Sequence, residues 1–413
     1  MNDMSLKSLL LLVLLLVAGC AMRGEVANGV RPMVPDQELA GSELLDVAIG
    51  VFSSEELTDK EREELGLSEE IRDAEGRFIP THLKYTMQRT GYWGAVRLVP
   101  GDNSAHVQIS GTIRSSDGER LALIVEARDA RGVTWFRNDY AEEIKPSDYR
   151  GSVPEKQDPF QDLYNTIAND LAEYRNRLSA DEVREIQRVS ELRFAQDMSP
   201  EAFAGYLSRD RDGLQKVNRL PVEGDPMLER VRAIEVRDGM LIDTINGYYD
   251  VFYRDLWRPY TDWRKLYSEE AAAMHKVEKD ALARQVLGAA AVLGGVLLST
   301  KDSSVARSGL PEVMVIGGAA AVYSGFQKRE DVKIHKDVIE ELSVSFSSEA
   351  TPLVVEVMGE TVRLTGSAEQ QYDQWRQALR DIYAAETGLP PAPAAEEKIS
   401  QPAIPADELS TDR

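Results

Sequence analysis

Few side chains in this sequence sit where their type and spacing would do chemistry. The one thiol of its 413 residues is Cys20. It follows an apolar run, Leu9–Ala18, that begins just after Lys7. A bilayer-spanning helix needs about 20 apolar residues, so this run is too short to span. A short apolar core with a basic flank and small residues at its end is the pattern of a secretory leader. The four histidines, His82, His106, His275 and His335, are scattered, whereas histidine metal sites cluster. The sequence holds no phosphate-cradling loop, no G-x-S-x-G and no H-E-x-x-H. Carboxylates are abundant, and none stands in a motif that singles it out as an acid or base. We therefore expect no catalytic residue, no metal ligand and no cofactor.

The last residues of the leader say what the thiol is for. Val17, Ala18, Gly19 and Cys20 resemble the bacterial lipobox: aliphatic, small, small, then an obligatory Cys. The resemblance implies that the Cys20 thiol receives a diacylglycerol, that residues 1–19 are removed as a signal peptide, and that the new amino group is acylated. Several acyl chains hold a membrane where a single one does so only marginally. Ala21, in place of an Asp, implies sorting to the outer membrane, facing the periplasm, with surface exposure left open. Residues 20–42 carry Gly24, Gly29, Pro32, Pro35 and Gly41 and read as a tether.

With no second Cys there is no disulfide, although the periplasm permits them. The formal net charge of −22 disfavours nucleic acid and anionic lipid as partners, since both select basic patches. The length implies two or three domains.

These residues need elements to carry them. Residues 43–150 read as an α/β domain. "LLDVAIGVF" is a buried strand, Glu55–Glu75 an acidic loop with helical pieces, and Pro80–Thr90 a helix ended by Gly91. "YWGAVRLV" is the next strand. The alternating runs around Val107–Ile113 and Leu121–Ala127 are a hairpin turned by Asp117-Gly118. A second turn, Asp129–Gly132, leads to "VTWFRNDY". Gly111, Ile113, Asp129, Gly132, Trp135 and Tyr140 fall where envelope lipoproteins of the curli-secretion and penicillin-binding-protein-activator type carry the same residues. That resemblance implies a periplasmic α/β domain that binds proteins or assembles, rather than an enzyme.

Residues 155–280 read as helical. Leu163, Ile167, Leu171 and Tyr174 make one stripe, and Ser179 with Glu182 a capping box. Ser199-Pro200 reads as a helix start, Pro226 as another, and Pro259 as a kink or restart. Tyr249, Phe252, Tyr253, Leu256, Tyr260, Trp263 and Tyr267 form an aromatic stripe at helical spacing. Helix packing explains that spacing, with a sugar-stacking groove for peptidoglycan as the alternative. Residues 281–328 hold two glycine-rich apolar stretches with small residues at every fourth position: Ala291, Gly295 and Ser299, then Gly317, Ala321 and Gly325. Such spacing lets helices approach closely. The hairpin they imply could be buried, dip into the membrane, or line a pore.

Residues 329–388 read as a helix, a β-hairpin and a helix. Ser367 with Gln370 caps the last helix, whose core is Tyr372, Trp375, Leu379 and Ile382. Gly359, Val362, Leu364 and Gly366 weakly resemble half of a BON domain. Residues 389–413, rich in Pro, Ala and Glu, read as a disordered tail.

The expected fold class is α+β and multidomain: an N-terminal α/β sandwich-like domain, a long helical middle with a glycine-rich helical hairpin, and a small C-terminal β-hairpin plus helix. The expected function is that of a non-enzymatic outer-membrane lipoprotein, a scaffold or partner-binding factor for the cell envelope. Its partners would be the membrane, through the lipid, and envelope proteins or further copies of itself. The alternatives are a homo-oligomeric secretion or pore component and a peptidoglycan-binding or wall-active protein.

Overall fold

The computed structural model describes residues 25–55, 68–101, 105–298, 334–335, 337–345, 353–357 and 360–388. The chain is an α+β mixture with a sheet domain and one very long helix.

The sheet grows from a β-α-β crossover. Strands β1 (Leu45–Gly50) and β3 (Trp93–Val99) pair in parallel, joined through helix α1 (Glu69–Gln88). On its other side β1 pairs in parallel with β4 (Val107–Ser116). Antiparallel β5 (Arg120–Asp129) and β6 (Thr134–Glu143) complete the order β3-β1-β4-β5-β6, with the short β2 (Ser53–Ser54) against β4. Alternation decides the faces: Leu121, Leu123, Val125 and Ala127 are buried, while Arg120, Ala122, Ile124 and Glu126 between them are half-buried. Helix α1 packs on β3, helix α2 (Gln161–Arg177) on β6, and the two helices touch each other. Both therefore cover the same face.

Helix α1 starts earlier than the sequence predicts. Ser68 accepts from the Ile71 N–H and caps the helix, so part of the expected acidic loop is helical and Pro80 lies inside. Proline has no N–H for the carbonyl four residues back. That carbonyl, on Gly76, instead accepts the Phe52 N–H at 2.9 Å and stitches the end of β1 to the helix. Gly76 permits the approach, since a Cβ there would lie 2.6 Å from the Phe52 carbonyl oxygen.

Helix α3 (Ala180–Met198) begins at the expected Ser179–Glu182 capping box. Ser199 is its C-cap rather than the start of another helix. Residues 200–206 are turns, and a small hairpin of β7 (Leu207–Arg209) and β8 (Gln215–Val217) follows. Helix α4 (Pro226–Leu298) is 73 residues long, about 110 Å at 1.5 Å per residue. Asp225 caps it through the Met227 and Leu228 N–H groups. Pro259 neither ends nor restarts it. Trp257, Tyr260 and Trp263, on either side of that proline, are buried and hold the turns in place. The aromatic stripe packs on α1: the Phe78 ring lies 4.7 Å from Tyr253 and 4.7 Å, edge-on, from Tyr260. No helix among the described residues is long and apolar enough to cross a membrane.

Residues 337–345 form helix α5. Strands β9 (Leu353–Val357) and β10 (Glu360–Leu364) make the expected hairpin, and α6 (Ala368–Thr387) opens on the Ser367–Gln370 box. Tyr372, Trp375 and Leu379 are buried as expected, but Tyr383 rather than the half-buried Ile382 completes the face. Helix α6 packs on α3 and α4. Asp238 of α4 accepts from Trp375 Nε1 at 3.1 Å and Arg376 Nη1 at 3.2 Å, and Asp197 of α3 pairs with Arg376 and Arg380.

The stretch read as a tether does not hang free over its described part. Residues 25–43 are strapped along α2, whose Asp162, Asn165, Asn169 and Arg175 all bond the strap's backbone. Glycine and proline content signalled mobility, but the groups that order the strap lie more than a hundred residues away in the chain. The proposed disordered tail, residues 389–413, lies outside the described residues.

Candidate functional site

The residues singled out in the sequence do not meet at one place. Val17, Ala18, Gly19 and Cys20 lie outside the described residues. Ala291 and Gly295 fall on the backbone of α4, whereas Ser299, Gly317, Ala321 and Gly325 lie outside the described residues. The second arm of the glycine-rich hairpin therefore has no structural account.

Gly111, Asp129, Gly132, Trp135 and Tyr140, singled out in the sequence by resemblance, serve the sheet and its packing. Gly111 makes room for Phe52, whose ring would lie 2.5 Å from a Cβ there. Asp129 closes its turn by accepting the Arg131 and Val133 N–H groups, and its other oxygen takes Trp135 Nε1 at 3.1 Å. Gly132 supplies a φ of +92° in that turn. Tyr140 donates to Asp170 of α2 at 2.6 Å.

The aromatic stripe is core. Tyr249, Tyr253, Tyr260 and Trp263 are at most 1 % exposed, so their faces are not open to a sugar. A buried polar network runs between these rings and α1. His82 Nδ1 faces the Tyr253 hydroxyl at 2.7 Å and Nε2 faces Gln161 Oε1 at 2.9 Å. Because that oxygen can only accept, Nε2 carries a proton. Burial holds the His82 pKa down, which favours the neutral ring. Beside it Arg264 and Asp158, 1 % and 0 % exposed, form an ion pair at 2.8 Å. Burial by itself raises an acid, but the Arg264 charge and hydrogen bond outweigh it and keep the Asp158 carboxyl low. The Arg264 guanidinium also lies 4.3 Å from the centre of the Tyr260 ring. These groups lock α1 to α4 and reach no surface. Sequence reasoning missed Arg264, although it continues the stripe one turn beyond Tyr260.

Among the clefts that open to solvent, one gathers titratable groups from several elements. Its volume is about 460 Å³, and it lies where β1 and β3 meet α3 and α4. Asp46, Arg97, His106, Phe194, Glu235 and Asp238 line it. Each wall is fixed. Asp46 Oδ1 accepts the Ala95 N–H at 2.7 Å, and Gly94 leaves it space, since a Cβ would lie 2.2 Å away. The Asp46 N–H donates to His106 Nδ1 at 2.8 Å, which fixes the neutral ring with its proton on Nε2. With its lone pair engaged, His106 is no general base in this geometry. Burial keeps the ring neutral, opposed by the Asp46 charge. Arg97 donates to both oxygens of Asp243, at 2.6 and 3.0 Å, and ties β3 to α4. Asn246 does the same for the β3 backbone: its amide accepts the Leu98 N–H at 2.8 Å and donates to the Leu98 carbonyl at 2.9 Å.

Glu235 is the uncommitted group. Among the described residues no hydrogen bond or ion pair engages its carboxylate. Burial pushes its pKa up to about 7, and the charges of Glu191, Asp238 and Asp46 add to the rise. Burial also raises Asp238, against the opposing pull of Arg376. The cleft thus concentrates negative charge around Glu235, whose opposing neighbour, Arg232, pulls against the rise but is itself paired with Glu191 and Glu229. It suits an ammonium or guanidinium group. Among the described residues no set of three or more His, Cys, Asp or Glu side chains is arranged to hold a metal ion.

No family model matches the chain, and no curated protein does. A solved structure, a PelC dodecamer from Paraburkholderia phytofirmans, is similar over 36% of this chain and 96% of that one, at 11% identity and a TM-score of 0.19. A score that low carries no argument about fold or function.

Proposed function

We propose that the protein is a non-enzymatic lipoprotein of the outer membrane. It is anchored through Cys20 and presents the acidic cleft to a basic segment of an envelope protein. The observation that carries the docking part is Glu235: a carboxylate with no hydrogen-bond or ion-pair partner among the described residues, raised to about 7 by burial and by three neighbouring carboxylates against the weaker pull of Arg232. A partner's Lys or Arg would supply a direct counter-charge, and a partly buried pair of that kind favours specificity. The lipobox supports the anchor. His106, with its lone pair already bonded, fits a binding role better than an acid–base one.

The test is site-specific photocrosslinking in the native envelope. The crosslinker replaces Met240, which lines the cleft and is 63% exposed, and as control Val222, which is 78% exposed. We expect a discrete adduct from Met240 alone, lost when Glu235→Lys is added. Equal adducts from both positions, or an adduct indifferent to Glu235→Lys, overturns the docking site.

A further inference from the structure

We infer that the protein is seated directly on its membrane, with the end of the sheet at Ala141 against the lipid headgroups, because the strap leaves the anchor almost no free chain. The inference rests on lipidation of Cys20.

The strap is bound as a peptide is bound. At its start the Val26 N–H donates to the Ala141 carbonyl at 2.8 Å, adding a bridge to the outer edge of β6. The Gly29 N–H then donates to Asp162 Oδ2 at 2.6 Å. Asn165 Nδ2 donates to the Val30 carbonyl at 2.7 Å. Asn169 grips two residues at once, donating to the Arg31 carbonyl at 2.9 Å and accepting the Met33 N–H at 2.7 Å. Arg175 donates to the Glu43 carbonyl at 2.8 Å. Positions 162, 165 and 169 share one face of α2, so the helix offers a row of polar side chains at the rise of the extended chain. Val26, Met33 and Leu39 pack against the core between these bonds. This stretch is part of the folded domain, although its composition is that of a linker.

Only Ala21–Gly24 separate Cys20 from Glu25. Fully extended, five residue steps reach about 17 Å. The headgroup layer on one side of a bilayer takes up about 5–8 Å of that. What is left is about 10 Å, less than the diameter of one helix with its side chains. The edge of β6 near Ala141, with Arg120 and Glu143 beside it, must then lie against the headgroups. Arg120 is already paired with Glu143 at 2.6 Å and lies 3.5 Å from Glu25. That cluster sets one guanidinium against two carboxylates, so it fits a zwitterionic headgroup, whose ammonium can meet the second carboxylate, and not an anionic lipid.

The experiment uses the full lipidated chain in phosphatidylcholine vesicles that carry an energy acceptor on the headgroups. Acylated Cys20 leaves no other thiol, so Glu143→Cys gives a unique site for the donor dye. The Arg120 pair it removes is an exposed one of small energetic value. We expect strong transfer from position 143. A flexible 20-residue Gly/Ser insertion between Gly24 and Glu25 leaves every strap bond intact. It adds roughly 25 Å of average reach and should cut the transfer by about half or more. Replacing Asp162, Asn165 and Asn169 together with Ala should free the strap and give the same loss. Transfer that is equally weak with and without the insertion overturns the inference. Vesicle flotation separates the two readings. A protein that floats only with Cys20 present but shows weak transfer is lipidated and not seated. A protein that fails to float removes the anchor itself.

Discussion

Glu235 and Arg264 show two fates of charge in this molecule. Arg264 is sealed among rings and paired with Asp158, whereas Glu235 faces a cleft among like charges. The pH behaviour of Glu235 follows from the direction of its shift. Its folded pKa lies above the ordinary carboxylate value, so the folded state holds the proton more tightly than the unfolded chain does. Ionising it therefore costs stability. The cost is absent at pH 4 and below, grows between about 4.5 and 7, and is complete above 7. Glu235→Gln removes it. We expect thermal melts of this variant to match the parent at pH 4.5 and to exceed it by several degrees at pH 8. Equal melting at pH 8 would show that Glu235 carries no buried charge. His82 acts in the opposite sense, since its depressed folded pKa costs stability as pH falls below about 6.5. Comparing parent and variant at each pH cancels that contribution.

At the scale of elements, two prolines lie inside helices and differ in consequence. Pro80 leaves the Gly76 carbonyl free, and Phe52 uses it. Pro259 sits within α4 with no such use apparent among the backbone bonds of the described residues. A helix-interior proline costs about 3 kcal/mol relative to alanine. Pro259→Ala should therefore stabilise the protein by about 1–3 kcal/mol in urea unfolding. Pro80→Ala should gain nothing, because the restored N–H competes for an acceptor already in use and Pro80 fills buried space. An equal gain from both would refute the role given to Phe52. The same pair shows where a sequence stops being legible. The strands were readable because alternation and the Asp-Gly and Asp-Ala-Arg-Gly turns are local signals. The aromatic face of α4 was readable from its period. The start of α1, the passage of α4 through Pro259 and the hairpin at Leu207–Val217 were not, because packing partners far along the chain decide them. Glu235 was invisible for the same reason: its neighbours Asp46 and Glu191 come from β1 and α3.

At the scale of the whole molecule, α4 is the common support. The sheet domain, α3 and the C-terminal α6 all pack on it. The joint to α6 sets an ion-pair network beside the buried face of Tyr372, Trp375, Leu379 and Tyr383, with Arg376 between Asp238 and Asp197 and its guanidinium 5.0 Å from the centre of the Phe194 ring. Removing one partner of a buried pair costs about 3–5 kcal/mol, because the other is left charged and alone. Arg376→Ala should make the β9–β10–α6 unit the first part cut in limited proteolysis, with the sheet domain still intact. Digestion in the parental order would mean that the unit is held by its apolar face alone. Asp238 lines the cleft and also bonds α6, so a ligand in the cleft and the docking of α6 draw on one carboxylate.

The grip of Asn246 on Leu98 has a consequence for how the molecule ages. Asn246 is followed by Gly247, the neighbour that least hinders cyclisation of an asparagine side chain onto the chain that follows it. Asparagine is among the heat-labile residues. While α4 is helical, the backbone nitrogen needed for cyclisation is held away, and the amide is engaged with β3. If the helix opens, the Gly247 nitrogen can attack the Asn246 side-chain carbonyl with loss of ammonia, and water then opens the cyclic imide to aspartate or isoaspartate. A carboxylate there would face the Leu98 and Ile242 carbonyl oxygens that the amide now serves, so the strand could not be gripped again. Every long excursion from the folded state would then leave a permanent chemical mark, and copies bearing it would be the ones that no longer close.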